Sequence, residues 1–198
     1  MCLGVWLGLA GCASTTLRSE RRAPDFDSSR IRKVLVVSIA STHEIRSAVE
    51  EEFVRQWKDR QVDAVSSAKV FPVDVPLSKA DLSVFASAHG FDSVLISRLM
   101  SRKDVDKDVE VKTIGEKETP QMAAEENQKM SEYVQSVLVA SPEDNINYQV
   151  AVLNTALFAV PSEKRLWSGV TQTLLTGDVT KAIRPFVKVI LKNLYTNK

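Results

Sequence analysis

The sequence predicts an α/β (α+β) protein, with a mixed sheet of about five strands and helices packed on it. Runs rich in β-branched residues alternate twice with segments of helical periodicity, an order typical of parallel strands joined by crossover helices. Two later strands are separated by a short loop, which is typical of an antiparallel hairpin. The length of 198 residues, 44% apolar and 26% charged, suits one globular domain and excludes a disordered chain. The predicted order is β-α-β-α-β, an insertion, β-β and α.

The first strand is predicted at residues 34–40, a nearly continuous apolar run that indicates burial on both faces of a sheet. Ser41 and Thr42 can cap the helix that follows. Apolar residues recur in it every three or four positions from Ile45 to Trp57, so we expect Trp57 in the core. The side chains expected to face solvent are Glu50, Glu51, Arg55 and Lys58.

A second β-α-β step follows. Residues 62–65 predict a short strand, and Ser78 begins a segment that resembles a helix capping box. Gly90 is expected to end this helix, with His89 close to its last carbonyl groups. Residues 94–100 predict the third strand. Asp92 stands between helix and strand, where a turn role is favoured over a catalytic one.

The predicted insertion, residues 104–146, contains eleven acidic residues and four lysines, a local net charge of −7. The spacing of Asp104, Asp106 and Asp108 resembles the opening of a calcium loop. Val109 stands where that loop requires glycine and Gly115 where it requires glutamate, so we expect no metal. Nothing in the predicted core requires this segment, and we therefore expect it to be the partner-binding face.

The last elements are two strands at 147–158 and 166–175 and a carboxyl-terminal helix. The helix has an apolar side from Ile183 to Leu194. Its opposite side is basic and carries Lys181, Arg184, Lys188 and Lys192. Basic residues are not interleaved with aromatic ones, and no nucleic-acid-binding motif is present, so a nucleic-acid partner is not expected.

The amino-terminal twelve residues carry no charge and are apolar or small, which is typical of the core of a secretory signal. Leu9, Ala10, Gly11 and Cys12 resemble the lipobox of bacterial lipoproteins. The resemblance implies lipidation of Cys12 after cleavage of residues 1–11, and Ala13 after the cysteine implies the outer membrane. Because a signal normally has a basic start and 15–30 residues, we expect this one to be truncated. Both cysteines of the sequence lie in this segment, so the rest has no disulfide or thiol chemistry.

Residues 12–32 are rich in Ser, Thr and Arg and predict a lipidated, flexible tether, followed by a single domain at 33–198. A flexible coil of that length spans roughly 25 Å.

The predicted domain resembles a class of small periplasmic α/β domains. The class includes the amino-terminal domain of the Tol–Pal translocation protein, the curli-secretion lipoprotein and a lipoprotein activator of penicillin-binding proteins. The resemblance is carried by residues 33–37, 90–96 and 164–168. It implies a periplasm-facing domain. The ring formed by the curli-secretion relative makes a homo-oligomer compatible with the resemblance, although no heptad repeat requires one.

No catalytic motif, phosphate-binding loop or cofactor fingerprint is present in the sequence. We therefore expect a non-enzymatic envelope assembly or regulatory factor, without a cofactor, that binds envelope proteins and is held in the membrane by its lipid. The alternative is a module that binds a small or nucleotide-like ligand at the carboxyl ends of the parallel strands. That site would involve Ser41, Thr42 and Ser97.

Overall fold

The computed structural model describes residues 15–71, 79–103, 150–175 and 178–196. In these residues six strands and three α-helices follow one another, with two short 3₁₀ turns at Ser28–Arg30 and Ser67–Lys69. Their bounds are β1 Thr15–Arg22, β2 Lys33–Ile39, α1 His43–Lys58, β3 Asp63–Ser66, α2 Lys79–Ala88, β4 Ser93–Lys103, β5 Val150–Ala159, β6 Arg165–Leu174 and α3 Thr180–Leu194.

The six strands form one open sheet in the order β1-β6-β5-β4-β2-β3. β2 is parallel to both β3 and β4, whereas the pairs β4–β5, β5–β6 and β6–β1 are antiparallel. The parallel part follows from the two crossover helices, and the antiparallel part from the β5–β6 hairpin. The predicted mixed α/β sheet is confirmed, with one strand more than expected.

The additional strand is β1, and the prediction of a flexible tether at 12–32 is wrong for this part of the chain. β1 pairs antiparallel with β6, from Thr15 opposite Thr173 to Arg22 opposite Trp167. An edge strand bonds to one neighbour only and can be polar, so a Ser-, Thr- and Arg-rich segment satisfies its backbone there as well as in water. The domain therefore already includes Thr15 and does not begin at residue 33.

Helices cover the sheet on both faces. On one face α1 and α3 pack together through Phe53, Trp57 and Phe186, over Trp167 of the sheet. Trp57 and Trp167 have no exposed surface, which confirms the prediction that Trp57 is a core residue. On the other face α2 packs over β2, β4 and β5. Residue Gly90 after α2 has φ +68°, as expected at a helix end.

The carboxyl end of α3 is held by β1. Arg22 donates hydrogen bonds from Nη2 to the carbonyl oxygen of Asn193 at 2.8 Å and from Nη1 to that of Leu194 at 3.3 Å. Glu20 accepts from Arg22 Nη2 at 2.7 Å and from Trp167 Nε1 at 2.9 Å. A guanidinium at the negative end of a helix dipole is a stabilising arrangement. β1 is thus part of the packed structure through side chains as well as backbone.

Alkaline pH is expected to destabilise the contact between α1 and the residue after α3. Trp57 Nε1 donates to the hydroxyl of Tyr195 at 3.1 Å. Burial raises the pKa of Tyr195 above its usual value of 10.0, although Trp57 and Arg60 oppose this shift. Because the folded state disfavours the phenolate, the neutral Tyr195 hydroxyl stabilises the fold below about pH 10. This stabilisation is lost as the pH rises through the folded pKa.

This pH dependence can be measured by thermal unfolding of the protein and of Tyr195→Phe on either side of pH 10. We expect Tm to fall less steeply with pH in the variant, which cannot ionise at this position. Parallel curves for the two proteins would contradict the role given to Tyr195.

Candidate functional site

The carboxyl ends of the parallel strands meet at one end of the sheet, which we call the carboxyl edge. It is the end at which β2 finishes at Ile39 and β3 at Ser66. The first turn of α1 begins there at His43, four residues after β2 ends at Ile39. Ligand sites of open α/β sheets usually lie at such an edge, so it is the candidate site of this fold.

Glu50 of α1 lies beneath this edge and has no exposed surface. The prediction that Glu50 faces solvent is therefore wrong. Its side chain points toward the ends of β2 and β3, where Oε1 accepts from the backbone N–H of Ser38 at 2.8 Å. Oε2 accepts from the Ser66 hydroxyl at 2.7 Å and from the Ala68 backbone N–H at 2.7 Å.

Two further donors complete the shell of the Glu50 carboxylate. The Ser67 hydroxyl donates to Oε1 at 2.8 Å, and Arg46 Nε donates to the same oxygen at 3.2 Å. Arg46 also donates from Nη2 to the Ser67 hydroxyl at 2.9 Å. The charge of the buried carboxylate is thus balanced by a guanidinium one helical turn away, as a buried charge requires.

This cluster ties α1 to two strands and does not offer a free chemical group. Five donors around two oxygens occupy the positions at which a metal or a substrate would bind. We define the Glu50 cluster as Glu50, Arg46, Ser38, Ser66 and Ser67. Its signals in the sequence are a serine that interrupts an apolar strand and a Ser-Ser pair at the end of the next one.

The structure also places the three residues of the predicted ligand site. Ser41 is exposed in the loop before α1. The hydroxyl of Thr42 caps α1 by accepting from the Ile45 backbone N–H at 3.3 Å, which confirms its capping role. Ser97 is only 2% exposed, and its hydroxyl accepts from Thr155 at 3.2 Å inside the sheet packing. The three hydroxyls therefore do not form a common surface site.

The two histidines lie at opposite ends of the sheet. His43 begins α1 at the carboxyl edge, whereas His89 follows α2 at the other end. His89 Nδ1 is 2.9 Å from the Phe85 carbonyl oxygen and its ring stacks on the Phe85 ring, which confirms its predicted position at the helix end. They cannot act together in catalysis.

Asp92 has a structural role at the end opposite the carboxyl edge. Its Oδ2 accepts from the backbone N–H groups of Arg32 and Lys33, both at 2.7 Å, and its Oδ1 accepts from the Ser93 hydroxyl at 2.7 Å. The carboxylate thereby joins the start of β2 to the start of β4. This is the turn role favoured from the sequence.

The predicted lipobox (Leu9, Ala10, Gly11 and Cys12) and the acidic insertion at 104–146 lie outside the described residues. Of the helices in the described part of the chain, none is long and apolar enough to cross a membrane. Within the same residues no cluster of three or more His, Cys, Asp or Glu side chains suits a metal ion.

Comparison with known proteins finds similarity to solved structures alone. No protein-family profile and no curated protein matches the chain. A PelC dodecamer from Paraburkholderia phytofirmans is 11% identical, with a TM-score of 0.49 over 93% of this chain and 100% of the other. A variant of the same dodecamer is 10% identical, with a TM-score of 0.49 over 91% of this chain and 99% of the other. The lipoprotein GNA1162 from Neisseria meningitidis is 11% identical, with a TM-score of 0.41 over 82% of this chain and 97% of the other.

Proposed function

We propose that this chain is a lipid-anchored envelope protein that presents its α/β domain to protein partners and catalyses no reaction. The observation that carries the proposal is the sequence from Leu9 to Cys12, a lipobox-like motif in an uncharged, apolar leader. Ala13 after the cysteine supports the outer membrane, with the domain facing the periplasm. Acyl chains on Cys12 supply the membrane affinity, since two or more chains give stable anchoring.

The arrangement of three hydrogen-bonded carboxylates supports a binding role over catalysis. Glu50 is surrounded by five donors, Asp92 by three and Glu20 by two. Each carboxylate joins separate elements of the fold. General acid or base catalysis needs a group that can exchange a proton with a bound substrate, and these groups are already used for structure.

For the partner-binding face we propose the acidic insertion, because the described sheet and helices form their core without it. Its net charge of −7 favours a basic partner surface by long-range attraction. The small-ligand alternative is less favoured, because the Thr42 and Ser97 hydroxyls are already hydrogen-bonded within the fold.

Replacing Cys12 by serine is expected to move the protein from the membrane fraction to the soluble fraction, because serine has no thiol to accept the lipid. Fractionation of native cells, with mass spectrometry of the amino-terminal peptide, measures this. The control is Ser14→Ala, which leaves the cysteine in place and should stay with the membrane. Membrane retention of Cys12→Ser would contradict lipid anchoring.

Deleting residues 104–146 is expected to remove envelope partners that the intact lipidated protein captures from membranes in mild detergent. Quantitative mass spectrometry of the two captures measures the loss. A matching melting curve for the deletion variant serves as the folding control. Capture of the full partner set by a folded deletion variant would contradict the role of the insertion.

A further inference from the structure

The first strand of the sheet begins very close to the proposed lipid. Thr15 starts β1, three residues after Cys12, and is hydrogen-bonded through its side chain to Thr173 at 3.1 Å. Three residues extend at most about 10 Å. A flexible tether over residues 12–32, as predicted from the sequence, would have separated the anchor from the domain by roughly 25 Å. The segment between the proposed anchor and the folded domain is therefore short, and it joins the sheet at Thr15.

The strand register shows which end of the domain carries this point. Thr15 pairs with Thr173, while Leu174 pairs with Val150 and Val150 with Lys103 at the end of β4. Because β4 is parallel to β2, this is the carboxyl edge. The opposite end carries the β5–β6 hairpin loop, with Ser162 exposed.

The helix α3 begins at the carboxyl edge and runs toward the opposite end of the sheet. It follows β6 and ends where Arg22, at the far end of β1, bonds to its last carbonyl groups. Its first two turns present the exposed Lys181 and Arg184 near the edge, with Asp178 beside them. Lys188 lies about 10 Å further along the helix than Lys181, given a rise of 1.5 Å per residue.

The described surface at this edge also includes an exposed apolar side chain. Leu174, at the end of β6, is 40% exposed, although it is a large hydrophobic residue. It lies next to Thr173, the partner of Thr15. An apolar side chain and nearby cations suit a phospholipid surface, because the acyl boundary accepts the first and anionic headgroups attract the second.

We infer that the carboxyl edge lies against the headgroup layer of the membrane that holds Cys12, with Leu174, Lys181 and Arg184 at the contact. The inference rests on the proposed lipid anchor. The domain then has a fixed orientation, with the β5–β6 hairpin loop pointing away from the bilayer.

Site-specific fluorescence in vesicles tests this orientation. Full-length, lipidated protein carrying Leu174→Cys or Ser162→Cys is labelled with a fluorophore and reconstituted into phosphatidylethanolamine–phosphatidylglycerol vesicles. Some lipids carry a nitroxide quencher in the headgroup. The two sites are about 30 Å apart along the strand direction. The natural cysteines do not compete for label, because Cys2 is cleaved off with the signal and the thiol of Cys12 is acylated.

We expect several-fold stronger quenching at position 174 than at position 162. Inserting twenty Gly and Ser residues after Ala13 should remove the difference, because the domain then turns freely. In the Leu174→Cys protein, the pair Lys181→Glu and Arg184→Glu should weaken quenching. The same change at Lys188 and Lys192 is the matched control and should have little effect, since both lie beyond a Debye length of about 8 Å from the edge.

Equal quenching at the two sites, or stronger quenching at 162, would overturn the orientation. Mass spectrometry of the same samples separates the two proposals. If Cys12 carries the lipid and the sites are quenched equally, the orientation alone is wrong. If Cys12 carries no lipid, the proposed anchor is wrong and the orientation fails with it.

Discussion

Replacing Glu50 by alanine is expected to lower the free energy of unfolding by about 3–5 kcal/mol, the range for breaking a buried ion pair by removing one partner. The variant leaves Arg46 without its buried counter-ion. It also leaves the Ser38 and Ala68 backbone N–H groups without the acceptor they share. Chemical denaturation followed by circular dichroism measures the change.

Glu51→Ala is the matched control, since it removes the next carboxylate of the same helix. Glu51 is half exposed and forms a surface ion pair with Lys69 at 3.2 Å. Such pairs contribute about 0–1 kcal/mol. Similar losses of stability for the two variants would contradict the structural role of the Glu50 cluster.

Gly169→Ala is expected to lower the free energy of unfolding by about 1–3 kcal/mol, the usual cost of overpacking a core. A Cβ atom at Gly169 would lie 2.6 Å from Trp167 Cη2 and 3.1 Å from Leu17 Cδ1. The indole has little freedom to move aside, because its Nε1 donates to Glu20 at 2.9 Å and the side chain is fully buried. Denaturation curves of the variant measure the loss.

A double-mutant cycle distinguishes this contact from a general effect of alanine in a strand. Phenylalanine at position 167 lacks the outer indole carbons that the new Cβ would meet. Gly169→Ala should therefore cost less in the Trp167→Phe protein than in the natural one. Additive losses in the double variant would show that the clash with Trp167 is not the cause.

The main architecture of the described residues could be predicted from local patterns. Residues 34–40 are apolar without alternation, which indicates a strand covered on both faces, and the structure has β2 there with α1 and α2 on either side. Helical spacing of apolar residues located α1 and α3 correctly. Gly90 ended α2 as expected. Each of these signals lies within a few residues of the element that it predicts.

The Glu50 cluster at the candidate site could not be predicted from local patterns. The spacing of Ile45, Val49, Phe53 and Trp57 defines an apolar stripe, and a glutamate beside Val49 is ordinarily solvated. Glu50 is buried because Ser38, Ser66, Ser67 and Ala68 converge on it from two strands and the turn after β3. Their convergence depends on the β2–β3 register, which no pattern around Glu50 contains.

Local sequence thus specified the strands and helices with strong apolar periodicity, the charge of each segment and the position of the lipobox-like motif. Tertiary structure alone decided that Thr15–Arg22 joins β6 and that the carboxylates of Glu20 and Glu50 lie inside. The physical reason is that burial of apolar side chains is signalled by each segment's own periodicity. The state of a polar segment depends on whether distant donors and acceptors satisfy it better than water does. For β1 they do, and the proposed anchor at Cys12 consequently lies three residues from a folded strand.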